Sequence, residues 1–373
     1  MKRRNVWPRR GVQNIIFFRA SRLEFYCFCE FPTLKAQRNS HMSYTVFKSL
    51  AEACEAVGVD PYSCRTTSRR WAPADILGDP HGKGDARIRL FDDDKGGVVW
   101  NWKLPDGDQC AVFFNGEGRR KEIERYVDHK MAQVQKEADA EQKATSRTAI
   151  RVYKHCESIF KQAEHPYLQR KGVDPARLVK LIPATRLNAL LPEWNLPFSL
   201  ISPVLVLPAV SFDRADAKLK LWSLQFIDEN GTKRFLPKGR IKKCFCPING
   251  LPPVPVRFRS NIHLVIGEGF ATVQSVMQRG LNQDEERRYG IVAFSCHGLI
   301  GAAQILRLRY PNALITILGD IGNGTDQAKQ AAILANGKVF FPEFTQEQVD
   351  AFRDVHGKTP TDWNDYYEVQ QYV

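Results

Sequence analysis

The chain has 373 residues, 43% of them hydrophobic and 25% charged, with nine cysteines and a formal net charge of +13. That is room for about two or three domains with real cores, and no apolar run reaches the roughly 18–20 residues that a membrane helix needs, so no membrane partner is expected. The charge is uneven: residues 1–41 hold nine Lys/Arg and two Glu, and residues 214–260 hold eleven Lys/Arg against three acids, a local basic band that points to an anionic partner.

The cysteines stand at 27, 29, 54, 64, 110, 156, 244, 246 and 296, with no Cys-x-x-Cys pair. Two Cys-x-Cys pairs are too few and too tight for a zinc ribbon, so no zinc is expected. An odd number of scattered cysteines fits a reducing cytoplasm.

Residues 1–41 do not read as a domain. Met1-Lys-Arg-Arg4 and Ile15-Ile-Phe-Phe18 imitate a secretory signal, but Arg19 and Arg22 interrupt the short apolar run and no small-residue cleavage site follows. Met42-Ser-Tyr44 has the look of a natural start, which makes 1–41 a disordered extension or an upstream mis-start; a basic arm for nucleic acid is the alternative. Residues 42–115 read as a small α+β domain. Val46–Val57 has apolar residues at helical spacing, and 86–91, 97–102 and 110–114 alternate as strands with turns at Lys95-Gly-Gly97 and Pro105-Asp-Gly-Asp108. Trp100 and Trp102 fall on one face of the middle strand. They are core packing in the plain reading, a stacking platform for single-stranded bases in the sharper one.

Residues 116–164 are rich in Glu, Lys, Arg, Gln and Ala and free of Pro and Gly between 119 and 163. They predict a charged helical linker, one long helix or two shorter ones. Residues 165–260 predict a β-rich basic module. It opens on the compact segment His165-Pro-Tyr-Leu-Gln-Arg-Lys-Gly-Val173, continues in strands over 204–210 and 219–227, and turns at Asp228-Glu-Asn-Gly231 into 233–237. Lys238-Gly-Arg-Ile-Lys-Lys243 follows, interleaved with aromatics, as contact for phosphate or nucleic acid or as solvated surface. Residues 261–342 alternate strand and helix four times, which implies a parallel sheet flanked by helices. Its first strand ends at Gly267-Glu268-Gly269 and its third at Gly319-Asp320. Ligands of such sheets bind beyond the carboxyl ends of the strands, so Glu268 and Asp320 sit where a Mg²⁺ beside phosphates would be held, or merely cap their strands. Residues 343–373 form a tail with a polar helix and Asp362-Trp-Asn-Asp365.

The order strand–Glu–Gly, helix, strand, helix, strand–Gly–Asp, helix, strand resembles a Toprim domain. His165-Pro-Tyr-Leu-Gln-Arg-Lys-Gly, Leu221-Trp-Ser-Leu-Gln-Phe-Ile-Asp228, Gly231-Thr-Lys-Arg-Phe-Leu-Pro237, Gly267-Glu-Gly-Phe-Ala-Thr272 and Asp362-Trp-Asn-Asp365 are similar, in that order, to motifs of the Toprim DNA primases of plasmids and phages, including conjugative primases and primase-helicases. The resemblance implies synthesis of short RNA primers from ribonucleotides on a single-stranded DNA template. It also implies Mg²⁺ or Mn²⁺ held by Glu268 and Asp320, which double as catalytic residues. Lys233, Arg234, Lys238, Arg240, Lys242 and Lys243, with Arg170 and Lys171, would contact nucleic acid or triphosphate. The family's Asp-x-Asp is broken here, since the chain reads Asp320-Ile-Gly322; Asn323, Asp326 and Asp365 are the candidate replacements. No Walker-type motif is present, so a helicase partner would be a separate protein. The alternatives are a Toprim nuclease and a catalytically weak scaffold that binds single-stranded DNA or a replication partner.

Overall fold

The computed structural model describes residues 45–64, 70–79, 84–104, 108–194, 202–213, 218–253, 262–279, 287–322 and 324–372. The expected extension over 1–41 and the candidate ligand Asn323 lie outside them. Three five-stranded sheets organise the chain.

The first sheet uses β1 (Val46–Phe47), β2 (Ala72–Ala74), β3 (Ala86–Leu90), β4 (Gly96–Asn101) and β5 (Cys110–Phe114), in the order β1-β5-β4-β3-β2. The helical pattern expected from Val46 begins later, as α1 (Leu50–Ala56). Val46 and Phe47 instead pair in parallel with Val112 and Phe113, and the Ser49 side chain caps the helix by accepting from the Glu52 N–H. Ala53, Cys54 and Val57 pack on one face of the sheet against Ile88, Val99 and Phe113.

One helix, α2 (Arg120–Lys154), spans 35 residues, about 50 Å at 1.5 Å per residue. Its Val127 and Val134 pack under the first sheet against Phe91, Val98 and Val112. Its Ala149, Val152 and Tyr153 pack against Leu224 and Phe226 of the second sheet. The sequence reads as polar surface because only a narrow stripe of this helix is buried, and the stripe serves two cores in turn.

The second sheet comprises β6 (Glu157–Ser158), β7 (Lys180–Pro183), β8 (Pro203–Phe212), β9 (Leu219–Ile227) and β10 (Lys233–Phe235), all antiparallel. Two helices interrupt it. The 165–173 segment, read from sequence as a turn, contains α3 (Pro166–Lys171), and α4 (Ala184–Leu190) follows β7. The Asp228 turn forms as expected: its carboxylate accepts from the N–H groups of Asn230 and Thr232 at 3.0 and 2.7 Å, and Gly231 supplies the positive φ of 89°.

The third sheet runs β11-β13-β12-β14-β15. β12 (Ile262–Gly267) is buried along its whole length and pairs in parallel with β13 (Arg287–Val292) and β14 (Leu314–Leu318); β15 (Lys338–Phe340) pairs in parallel with β14. The edge strand β11 (Cys246–Pro247) is antiparallel. It was not expected from the sequence, and it lies where Cys244 and Cys246 are buried in cores. The helices α6 (Cys296–Arg309) and α7 (Thr325–Leu334) cover the Leu264 and Ile266 face of β12. On the Val265 side lie α5 (Phe270–Arg279) and the segment around α3. The chain ends in α8 (Gln346–His356) and α9 (Trp363–Val369), the latter packed on α5. Arg307 ties this unit at its far end, donating to the carbonyls of Tyr310, Pro311, Ala313, Ala335 and Asn336. Among the described residues no helix is long and apolar enough to cross a membrane.

Candidate functional site

Glu268 leaves the carboxyl end of β12 just before α5, and Asp320 leaves the neighbouring β14 after Gly319. Both glycines beside the pair are required by space. A Cβ at Gly267 would lie 2.9 Å from the Val273 side chain, and one at Gly319 would enter the Phe341 ring. Gly324, which precedes α7 with a φ of 115°, closes the site from below: a Cβ there would lie 2.9 Å from Glu268 Oε1 and 2.9 Å from Cys296 Cβ. The Glu268 carboxylate therefore rests against the backbone at the start of α7, the positive end of a helix dipole.

Neither carboxylate is fully satisfied. Glu268 Oε1 and Asp320 Oδ1 are buried without a hydrogen-bond partner among the described residues. Burial raises the Glu268 pKa, against the pull of the Lys233 ammonium and the Cys296 backbone N–H. Asp320 is pushed up to about 8, first by burial and then by the negative charges of Asp362, Glu268 and Asp365. Lys233 is the cation among them. Its Nζ lies 3.7 Å from where a Gly269 Cβ would stand. Loss of hydration lowers its pKa, and Asp362, Asp320 and Glu268 raise it. The net effect lowers it, with burial the largest cause and the neighbouring Lys171 acting the same way.

The third acid of this cluster, Asp362, was not singled out from sequence. It caps α9, accepting from the Asp365 N–H at 2.9 Å, and its own pKa is raised by burial and by Asp365. The signal that could have found it was the Asp-x-x-Asp spacing ahead of an aromatic helix, an N-cap pattern, which fixes Asp362 at the helix mouth.

Asp365 and Asn364 form a clasp behind that cluster. Asp365 is 1% exposed; Oδ2 accepts from the Thr361 N–H at 3.0 Å, while Oδ1 faces Lys171 Nζ at 3.8 Å and Lys358 Nζ at 3.6 Å. Thr361 in turn accepts from the Ile321 N–H at 2.8 Å, which ties the Asp320 loop to this segment. Asn364 donates to the Lys171 carbonyl at 2.7 Å and to Ser275 Oγ at 2.9 Å, joining the ends of three sequence motifs. The first of those motifs is built by His165. Its Nδ1 accepts from the Tyr167 N–H and its Nε2 donates to the Pro203 carbonyl, so the ring is neutral and caps α3, with Gly172 in the left-handed region at the other end.

The remaining basic residues disperse. Lys171 and Lys233 join the acids. Lys238 pairs with Glu141 of α2 at 2.7 Å. Arg240 stacks over Trp222 at 4.6 Å and donates to the Lys242 carbonyl. Lys243 lies against α6 at Gly301. Arg170 donates to the Glu229 carbonyl, and Arg234 is exposed beside Lys233. Asp326 is exposed in the first turn of α7, and Gly322, where the family pattern would put an acid, has a φ of 103° and open space around it.

Among the described residues no three carboxylate, imidazole or thiol side chains converge as a ready-made metal cage. Two carboxylates with orphaned oxygens at adjacent strand ends nonetheless fit a hard divalent cation, because Mg²⁺ uses one or two carboxylates and takes its other oxygens from water and phosphate.

Fold and site together describe a mixed α/β protein that gathers carboxylates and lysines at the carboxyl ends of adjacent parallel strands. No family model matches the chain. It is similar to two DNA primases TraC of Escherichia coli, 30% and 28% identical over 166 residues, or 42% of this chain. The likeness to plasmid- and phage-type primases expected from the motifs is thus present in the sequence. The aligned stretch spans only 11% and 15% of those two relatives. The primase fragment of the bacteriophage T7 primase-helicase overlays on 58% of this chain and 78% of its own length, with 9% identity and a TM-score of 0.30, an overlap too loose to carry an argument.

Proposed function

We propose that the chain is a primase-like nucleotidyltransferase of a plasmid or phage, making short RNA primers on single-stranded DNA beside a separate replicative helicase, with the third sheet serving as a Toprim module. The observation that carries this reading is the electrostatic conflict at the ends of β12 and β14. Glu268 and Asp320 each keep an orphaned oxygen beside the negative charge of Asp362, an arrangement that costs stability unless a cation relieves it. Glu268 and Asp320 would hold Mg²⁺ or Mn²⁺, with Asp362 adding negative charge at the same mouth. When bound, the metal supplies orientation of the nucleotide phosphates and neutralises charge as a 3′-hydroxyl attacks. Lys233 is positioned to meet a phosphate at that mouth. In the alternative scheme Glu268 does not ligate the metal and acts as the general acid/base at the attacking hydroxyl. Asp365 acts as a positioning residue in either scheme: Oδ2 accepts from the Thr361 N–H, while Oδ1, without a hydrogen bond among the described residues, lies within ion-pair reach of Lys171 and Lys358.

The test is incubation of protein from Met42 onward with single-stranded DNA, ribonucleotides and Mg²⁺ or Mn²⁺, beside Glu268→Gln and Asp320→Asn. Metal-dependent short RNA, lost in both variants, is the expected result. Degradation of the template would replace primase by nuclease. Binding without turnover, unchanged in the variants, would support the scaffold reading, which the open Gly322 position favours.

A further inference from the structure

The first sheet carries a surface that this chemistry does not use. Its registers place Pro73, Arg87, Trp100 and Cys110 in one row across the strands. Alternation puts Trp71 and Trp102 on the same face. The other face is filled by α1. On this one α2 covers the part around Val98, Val112 and Phe91, and the row through Trp100 lies next to that covered part. Trp100 and Trp102 have ring centroids 5.4 Å apart at an interplanar angle of 44°. Core packing accounts for the half-buried Trp100. It does not account for Trp102 and Trp71, which are 52% and 36% exposed. The indole N–H of Trp100 is buried with no acceptor among the described residues.

The cation next to the rings is Arg87. Arg87 donates to the Gly84 and Ala86 carbonyls, which fix the guanidinium next to Trp100 without neutralising it. On the flank, Lys103 answers Asp79 at 2.6 Å and Asp85 at 3.4 Å. Arg89 pairs with Glu137, and Lys130 with Asp92 and Asp93, so the cavity of ≈ 320 Å³ that they line with Arg70 carries little net charge. Aromatic faces beside arginine suit stacked bases, and they do so without sequence preference because every base has a π-face.

We propose that this corner is a separate contact site for a single-stranded polynucleotide, its bases stacked on Trp102 and Trp71 and its backbone met by Arg87. The proposal is independent of the chemistry at Glu268. The experiment is fluorescence anisotropy of a labelled oligothymidylate titrated with the full chain at low salt, for the parent, Trp102→Ala, Trp102→Phe and Arg87→Gln. Trp102→Ala is expected to weaken binding about tenfold, the loss of one base stack, while Trp102→Phe keeps most of the affinity. Arg87→Gln is expected to lower the salt slope by about one. Trp102→Ala is expected to keep the parent's thermal response to Mg²⁺, so that failure at Glu268 and loss of this surface are read separately. Trp102 is exposed, so its alanine variant should melt with the parent, which excludes misfolding. The proposal is overturned if Trp102→Ala binds within about twofold of the parent, or if the parent binds no oligothymidylate. It is equally overturned if sedimentation shows that Trp102→Ala abolishes self-association, the mark of a surface that pairs copies of the chain.

Discussion

Asp320→Asn should make the metal-free protein more stable at pH 8.5. The Asp320 pKa stands at about 8 in the folded chain against a reference value of 3.8. Between those two values the folded state binds a proton that the unfolded state has released. The stability tied to this group is therefore complete below about pH 4 and drains away as pH rises through about 8. The difference of about 4.2 pK units between 3.8 and 8, at 1.36 kcal/mol each, sets a ceiling of ~6 kcal/mol. Asp320 keeps partial solvent access and has the Lys233 ammonium nearby, so ~2 kcal/mol is the realistic loss at alkaline pH. The amide keeps the shape and removes the charge, which also relieves Asp362 and Glu268. Thermal melts from pH 5 to 9 read this directly: the parent should fall by about 4 °C relative to Asp320→Asn across that range. A cation should close the same gap. Mg²⁺ at tenfold its Kd adds ~1.4 kcal/mol to the parent at pH 8, a chelator removes it, and Asp320→Asn responds to neither. Parallel pH profiles for parent and variant would refute the charge conflict, and an equal response to Mg²⁺ in both would refute Asp320 as a ligand.

Asn364→Ala removes two buried hydrogen bonds, to Lys171 and Ser275, and should cost about 2 kcal/mol by urea titration; Asn364→Asp should cost more, since it presents a carboxylate to the Lys171 carbonyl. The His165 pKa is lowered by burial, so the stability its neutral ring provides is present above about pH 6.5 and is lost as pH falls toward its folded value. His165→Asn keeps an acceptor for the cap and should flatten the acid limb of the stability profile. Arg307→Lys should fail to rescue Arg307→Ala, with each losing about 2–3 kcal/mol, because five carbonyls are held by one planar fork that an ammonium cannot reproduce. Gly324→Ala should lower metal affinity and primer synthesis by more than tenfold, since its Cβ would displace the Glu268 carboxylate; normal metal affinity in that variant would show that Glu268 does not need the start of α7.

What could be read from the sequence, and what could not, follows from the range of the interactions concerned. Strand ends such as Gly267-Glu268-Gly269 and Gly319-Asp320 were legible because burial on both faces of a parallel sheet writes a continuous apolar run that stops where the backbone emerges. The turn at Asp228 was legible because it is closed by its own side chain. The basic band was legible as composition but not as geometry. Lys233 and Lys238 are five residues apart in sequence, yet one faces the acids and the other reaches Glu141 on α2. That difference is set by the path after β10, where Leu236 turns into the core and Lys238 takes a positive φ of 62°. Lys171 joins Asp365 across nearly two hundred residues of sequence, and β11 forms only because Phe245 pairs with Val210 of β8 and carries the next residue onto the edge of another sheet. Asp362 belongs to the same class. As a local pattern it is an N-cap, worth about 1 kcal/mol. Its negative charge acts on Asp320 only because the Thr361–Ile321 hydrogen bond draws the two segments together. The residues of the cluster were each visible in the sequence as caps, turns and strand ends, and the fold turns them into one site by making those ends meet.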